Sequence, residues 1–464
     1  MSFVSIEFFA LLTITFCAYY LFSHVATQNL LIVVTSLVFY AAWDWRFVLL
    51  VVGLTAATYG AAICVETTKT QSSRRAWLVA FLCLVLIVLG FFKYFNFFVS
   101  SAATLAASVG LSTNSGSLEI ILPLGISFMT FQAMAYVIDV YRGDCLADRD
   151  PVRVLAYKTF FPQLVAGPIE RAGHLLEQFK APRTLTSEKV ARAVWLMVYG
   201  YALKVIFADS LAPIVDSLFQ PDQQYGWSVI WGSIAFGIQI YADFCGYSLI
   251  AKGVALLFGF DLIWNFRFPY WSVSLSDFWR RWHIGLSSWL RDYIYIPLGG
   301  SRDGHITAGR NMIITMALGG LWHGASWNFV LWGLLHGFTQ AAWRLFRFPA
   351  SPTSLVGKAT GWAVTMLVVF VGWFLFRASD WSTLTSMVRA LVTWRWLDVH
   401  TELVRTLATI VAALALLEYF LIRKGDFFLI EGRKILLYPV MSAMVVVTVS
   451  LLGGNQPSFI YFEF

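Results

Sequence analysis

Apolar residues recur along the chain in long runs, separated by short polar segments. A helix that spans the hydrocarbon core of a bilayer needs roughly 20 such residues. Candidate spans lie near Ile6–Ser23, Asn29–Trp43, Phe47–Val65, Ala76–Phe98 and Leu118–Tyr141. Others lie near Val190–Ala208, Gly226–Ile250, Thr360–Phe376, Arg405–Ile422 and Leu436–Leu452. Between Arg310 and Arg347 the apolar stretch is interrupted by Gly319-Gly320 and by Gly324, and reads as two short crossings or one re-entrant hairpin. The pattern predicts an all-α multi-pass membrane protein with about 11–12 transmembrane helices. One continuous membrane domain over residues 1–464 is the simplest organisation. No Lys or Arg precedes Arg46, so the first run reads as a retained span rather than a signal peptide.

Composition supports this class, since hydrophobic residues make up 59% of the 464 positions and charged residues only 13%. A soluble domain carries about twice that charged fraction. The net charge of +7 is distributed between apolar runs rather than in one basic block, which argues against nucleic acid and for loops facing an anionic leaflet. The segments Glu66–Arg75, Arg142–Arg153, Arg171–Arg192 and Arg423–Lys434 are basic, whereas Ser100–Ser117 has no Lys or Arg and Asp209–Tyr225 only acids. The positive-inside rule then places both termini outside the cytoplasm. The five cysteines are scattered, without metal or redox spacing, and read as small buried hydrophobes.

Three segments could carry chemistry. The first, Ser276–Arg302, reads SDFWRRWHIGLSSWLRDYIYIPLGGSR. Its start resembles a capped helix with Ser276 as N-cap, and Asp277 lies four residues before Arg281, a favourable same-face spacing. Trp279, Trp282, Leu286, Trp289 and Leu290 form an aromatic and apolar stripe, and Arg280, Arg281 and Arg291 supply cations. On a continuous helix His283 faces the side of Trp279 and Arg280. The segment is either a snorkelling interfacial helix with His283 as a polar neighbour, or part of a site.

The second segment, Gly319–Gly337, reads GGLWHGASWNFVLWGLLHG. His323, between Trp322 and Gly324, lies in a strongly apolar region, where an ionisable group is costly and a functional role is the default expectation. Burial disfavours a charged ring, and a neutral imidazole is what a general base requires. The bland alternative is an imidazole that only bonds to a neighbouring helix. His336 lies thirteen residues on, well round from His323 on any continuous helix. Asp243, an acid in an apolar span, could orient a histidine or pair with an Arg or backbone donor. The stretch Phe160–Gly173 carries two prolines and two glycines in an apolar context and reads as a cavity wall or a plain loop. No metal-ligand spacing appears.

The third is the aromatic tail Pro457–Phe464, with one phenol, Tyr461. It reads as an interfacial anchor or as a segment that re-enters a cavity.

At these residues the chain resembles the membrane-bound O-acyltransferases, and within them the bacterial polysaccharide O-acetyltransferases of the alginate-acetylation type. The matching stretches are FFPQLVAGPIER (Phe160–Arg171), DFWRRWHIGLSSWLRDYIYIPLGGSR (Asp277–Arg302), LWHGASWNFVLWGLLHG (Leu321–Gly337) and FIYFEF (Phe459–Phe464). IPLGG after RDY favours the alginate type over the D-alanyl-transferring type. GPIER departs from the GPIVR of the alginate enzymes, so alginate, cellulose and other exopolysaccharides stay open as the polymer.

The resemblance implies a ring of tilted helices around a thinned centre with a tunnel, together with interfacial and re-entrant helices, in the bacterial inner membrane. It implies acyl transfer from a thioester such as acetyl-CoA to a hydroxyl, with no bound cofactor. His283 and His323 map to its two active positions. Its partners would be membrane lipids, a polysaccharide acceptor and a periplasmic acetyltransferase or acceptor protein.

On this expectation His323 is the general base, and His283 orients or polarises the carbonyl. Arg280, Arg281, Arg291, Trp279, Trp322 and Asp243 contact substrate, and Tyr461 is a possible acyl relay. The rival reading is an exporter or flippase of a polymer or lipid-linked sugar. Against it, the halves carry no matched pair of broken helices.

Overall fold

The computed structural model describes residues 1–111, 118–164, 167–219, 225–378, 380–396, 398–427, 442 and 444–446. Tyr461, the FIYFEF tail and nearly all of the expected span Leu436–Leu452 lie outside them. Among the described residues every regular element is helical and no strand occurs. The chain forms two compact units: Met1–Leu185 with Leu257–Leu262, and Thr186–Leu256 with Ile263–Phe464.

The first unit holds α1 (Ile6–Leu21), α2 (Val25–Asp44), α3 (Val48–Thr67), α4 (Gln71–Leu89), α5 (Phe95–Ser108), α6 (Ile126–Arg142), α7 (Pro151–Thr159) and α8 (Phe161–Leu164). Polar side chains appear where the backbone must stop or turn. Ser5 caps α1, and Asp150 caps α7 ahead of Pro151 at its first position. The expected span from Leu118 begins as a helix only at Ile126, because Pro123 and the left-handed Gly125 (φ 70°) end the irregular lead-in.

The described part of Phe160–Gly173 is mostly buried, and beyond α8 it runs as irregular backbone over 167–171 with side-chain partners of its own. Gln163 Nε2 donates to Pro168 O (3.1 Å) and Tyr157 Oη to Glu170 O (3.0 Å). This is how non-helical chain survives at low polarity.

The second unit holds α9 (Ser187–Tyr201), α10 (Asp209–Leu218), α11 (Gly226–Leu257), α12 (Leu275–Arg281) and α13 (Ile284–Leu290). It continues with α14 (Gly304–His323), α15 (Trp327–Leu345), α16 (Leu355–Arg377), α17 (Trp381–Ala390) and α18 (Asp398–Lys424). Helix α11 is apolar on every side, and 94% of its most hydropathic window is buried, so it forms the core of this unit.

Six continuous helical stretches among the described residues are long and apolar enough to cross a membrane, from Val25–Thr67 to His400–Lys424. The protein is therefore an all-α multi-pass membrane protein. Arg377 and Asp216 form an ion pair at 2.9 Å.

Helices α14 and α15 form a closely packed hairpin. A Cβ on Gly320 would lie 2.0 Å from Phe329 O, and one on Gly333 would lie 2.2 Å from Met316 O. Only glycine allows the two backbones to approach this closely. The expected break at Gly319-Gly320 is therefore absent. Helix α14 runs through both glycines because they serve packing, and the chain turns at Gly324.

Candidate active site

The segment from Asn265 to His283 runs irregularly to Ser274, forms α12, and breaks again at Trp282 and His283. Helix α12 is capped by Ser274, whose Oγ accepts from Asp277 N at 3.2 Å, and not by Ser276, which lies in the first turn. The expected Asp277–Arg281 pair forms at 2.9 Å.

The helix does not continue through His283. Trp282 is extended and His283 is left-handed (φ 43°, ψ 57°), so α13 starts afresh at Ile284. His283 therefore does not share a helix face with Trp279 and Arg280. The neighbouring strand-like segment compensates for the break. Arg267 N donates to Arg281 O, and Ile284 N to Asn265 O, both at 2.9 Å.

His283 is fully buried. Its ring meets Phe244 edge-on at 4.8 Å between centroids, Phe266 at 6.4 Å and Trp322 at 6.0 Å. Its Nδ1 lies 3.1 Å from Asn265 Oδ1. His323, the last residue of α14, is 5% exposed. Its ring lies 5.1 Å from Trp322, 5.0 Å from Trp332 and 5.3 Å from Phe376. One indole, Trp322, thus touches both imidazoles.

His336 was separated from His323 on the assumption of a continuous helix. The turn at Gly324 folds α15 back, and Trp332 touches both His323 and His336 (4.9 Å). Trp279 packs against the same histidine at 5.1 Å and against Trp332 at 5.6 Å. The backbone of α16 closes on it, since a Cβ on Gly372 would lie 2.8 Å from His336 Nε2. The result is a chain of alternating rings: His283, Trp322, His323, Trp332, His336, Trp279.

The other expected site residues are dispersed. Asp243 forms an ion pair with Lys204 (2.9 Å), which also reaches Asp209 (2.7 Å). Arg280 is exposed and donates to Ser276 O at 3.2 Å. Arg281 is half-buried and Arg291, exposed, pairs with Asp292 at 2.7 Å.

Two residues were missed. Asn265 is a lone polar residue in a loop and gives no sequence signal. Glu418 is a buried acid in an apolar span, the same signal that marked Asp243. It accepts from Tyr241 Oη at 2.6 Å and Trp271 Nε1 at 2.8 Å. Tyr241 in turn packs on Trp282 at 6.1 Å, next to His283. No cluster of three or more His, Cys, Asp or Glu that could hold a metal ion occurs among the described residues.

Two buried imidazoles on one indole, walled by aromatic rings, can accept and pass a proton while excluding water. Residues 146–388, which contain both histidines, match the model of the MBOAT, membrane-bound O-acyltransferase family. The probable alginate O-acetylase AlgI of Azotobacter vinelandii is 40% identical over 431 residues, covering 91% of this chain and 85% of that protein. A peptidoglycan O-acetyltransferase of Helicobacter pylori is 32% identical over 416 residues, covering 83% and 78%. A teichoic acid D-alanyltransferase of Streptococcus thermophilus is 27% identical over 239 residues, covering 48% and 57%. With a helical membrane architecture and a buried histidine pair inside the matched region, the chain belongs to the membrane-bound O-acyltransferase family and is an O-acyltransferase.

Proposed function

We propose that the protein moves an acetyl group from a cytosolic thioester, acetyl-CoA or a similar donor, across the bacterial inner membrane to hydroxyls of an exopolysaccharide, either directly or through a periplasmic relay protein. The observation that carries this reading is the burial of His283 and His323 beside one indole, Trp322. Three relatives with acyl-transfer names, acting on alginate, peptidoglycan and teichoic acid, support a polymer as the final acceptor. Alginate or a similar polymer fits best, given the extent of the 40% identity.

His323 takes the proton of the attacking hydroxyl. The hydroxyl oxygen bonds to the acyl carbon as the carbon–sulfur bond breaks, and the proton passes from His323 to the leaving thiolate. His323 ends α14, where the negative end of the helix dipole favours the transient imidazolium. His283 orients the bound substrate. The surrounding rings keep water from the thioester, which would otherwise hydrolyse.

The donor thioester enters from the side expected to face the cytoplasm. A cleft lined by Trp195, Tyr199, Trp264, Arg267 and Asp426 reaches Tyr241 and Phe266. Phe266 packs beside the His283 ring, 6.4 Å between centroids, so this cleft lies on the His283 side of the pair. Cells carrying the wild-type protein should show O-acetyl groups on surface polysaccharide, and His323→Ala cells should lose them. Unchanged acetylation with a folded His323→Ala protein would contradict the reading.

A further inference from the structure

Asn265 makes four contacts in and beside the His283 turn. Its main-chain oxygen accepts from Ile284 N, its Oδ1 lies 3.3 Å from Gly285 N and 3.1 Å from His283 Nδ1, and its Nδ2 donates to Ser248 Oγ at 3.2 Å. The orientation of the amide follows from Gly285. A main-chain N–H can only donate, so the atom facing it is the carbonyl oxygen and not the amide nitrogen.

That oxygen can only accept. The His283 nitrogen beside it therefore carries the proton. A neutral imidazole protonated at Nδ1 has its lone pair at Nε2. Both side chains are almost wholly buried, Asn265 at 3% exposure and His283 at 0%, and an apolar enclosure favours the uncharged ring.

We propose that Asn265 is a positioning residue that holds His283 as its Nδ1–H tautomer, so that Nε2 meets the substrates as a hydrogen-bond acceptor. The inference rests on the reading of His283 as part of the acyl-transfer site and narrows its role. A ring in this state has no Nε2–H to direct at the thioester carbonyl, so it does not polarise that carbonyl. It accepts instead from an O–H or N–H of bound substrate. The source is a sugar hydroxyl beside the one acylated, or an amide of the thioester arm. The proton that moves during transfer still goes to His323.

The test uses the full-length protein in detergent or lipid nanodiscs, labelled with ¹⁵N-histidine. The His283 signals are identified by their loss in His283→Gln. Protonated Nδ1 and bare Nε2 are expected, and the reverse tautomer overturns the proposal. In steady-state assays Asn265→Leu should lose roughly ten-fold or more in kcat/KM, the scale of one buried hydrogen bond. Asn265→Asp, which keeps an acceptor for both Gly285 N–H and Nδ1–H, should retain more activity than Asn265→Leu.

A rise in KM for the polymer assigns the contact to a sugar hydroxyl, and a rise in KM for the thioester assigns it to the arm. A fall in both thermal stability and activity for Asn265→Leu, with the wild-type tautomer unchanged in its nitrogen spectrum, would reduce Asn265 to a structural staple and overturn the proposal. Normal turnover by His283→Ala would remove the acyl-transfer reading beneath it, while the nitrogen spectrum reports the tautomer separately.

Discussion

Glu418 offers a graded test of how the site is held, because its two oxygens each serve one donor. Tyr241 is 1% exposed, so its hydroxyl has no access to water if the carboxyl is removed. Trp271 is 40% exposed, and its freed N–H can find water at the interface. In Glu418→Leu the cost therefore falls mainly on Tyr241, at about 1–3 kcal/mol for a buried unsatisfied group.

Glu418→Gln should cost less. The indole N–H, a donor only, takes the amide oxygen, and the amide nitrogen donates to the phenol oxygen, leaving one O–H without its acceptor. Adding Tyr241→Phe to Glu418→Leu removes that hydroxyl and should restore about 1–2 kcal/mol, read as coupling in a double-mutant cycle. The assay is unfolding free energy in mixed micelles, with turnover measured on the same samples. Because Tyr241 packs on Trp282, turnover should fall in the same order as stability. Equal stability of all three variants, or a double variant no better than Glu418→Leu, would refute the reasoning.

Further variants test the helix packing, the buried ion pairs and the tail. Gly320→Ala should destabilise the α14–α15 hairpin by about 3 kcal/mol or more, since its Cβ would sit 2.0 Å from Phe329 O. Gly60→Ala, with nothing within 4 Å, should be neutral in the same thermal assay. Lys204→Met removes the cation between Asp209 and Asp243 and should cost about 3–5 kcal/mol, measured as loss of folded protein on size exclusion in detergent. If Tyr461 relays the acyl group, intact mass after turnover shows an acetyl adduct that Tyr461→Phe lacks, and its absence under trapping conditions removes the relay.

Much of the fold was legible because bilayer-crossing helices declare themselves through length and polarity alone. The Trp-His-Gly segment stood out for a related reason, since an ionisable ring in an apolar run is costly enough to need an explanation, whereas Arg-Trp-His read as an interfacial helix and drew notice through the family resemblance. What escaped was local backbone geometry. Nothing in RRWHIG signals that His283 adopts a left-handed conformation, which is uncommon for a residue with a Cβ, so the face assigned to it was wrong.

His336 escaped because angular bookkeeping assumed one helix where Gly324 makes two. Asn265 was silent, since a lone Asn in a loop acquires meaning only through the N–H groups it meets. Glu418 carries the same signal as Asp243, an acid within an apolar span.

The central claim is that two buried histidines make this membrane protein an acyl-transfer enzyme. The most direct measurement is acyl transfer by the purified protein in detergent, from a radiolabelled acetyl thioester to polysaccharide, with no membrane and no gradient. The wild type should produce labelled ester, and His323→Ala and His283→Ala should lose roughly two to four powers of ten in rate while remaining folded. Wild-type rates in folded His323→Ala, or export of polymer by reconstituted protein with no ester formed, would contradict the account.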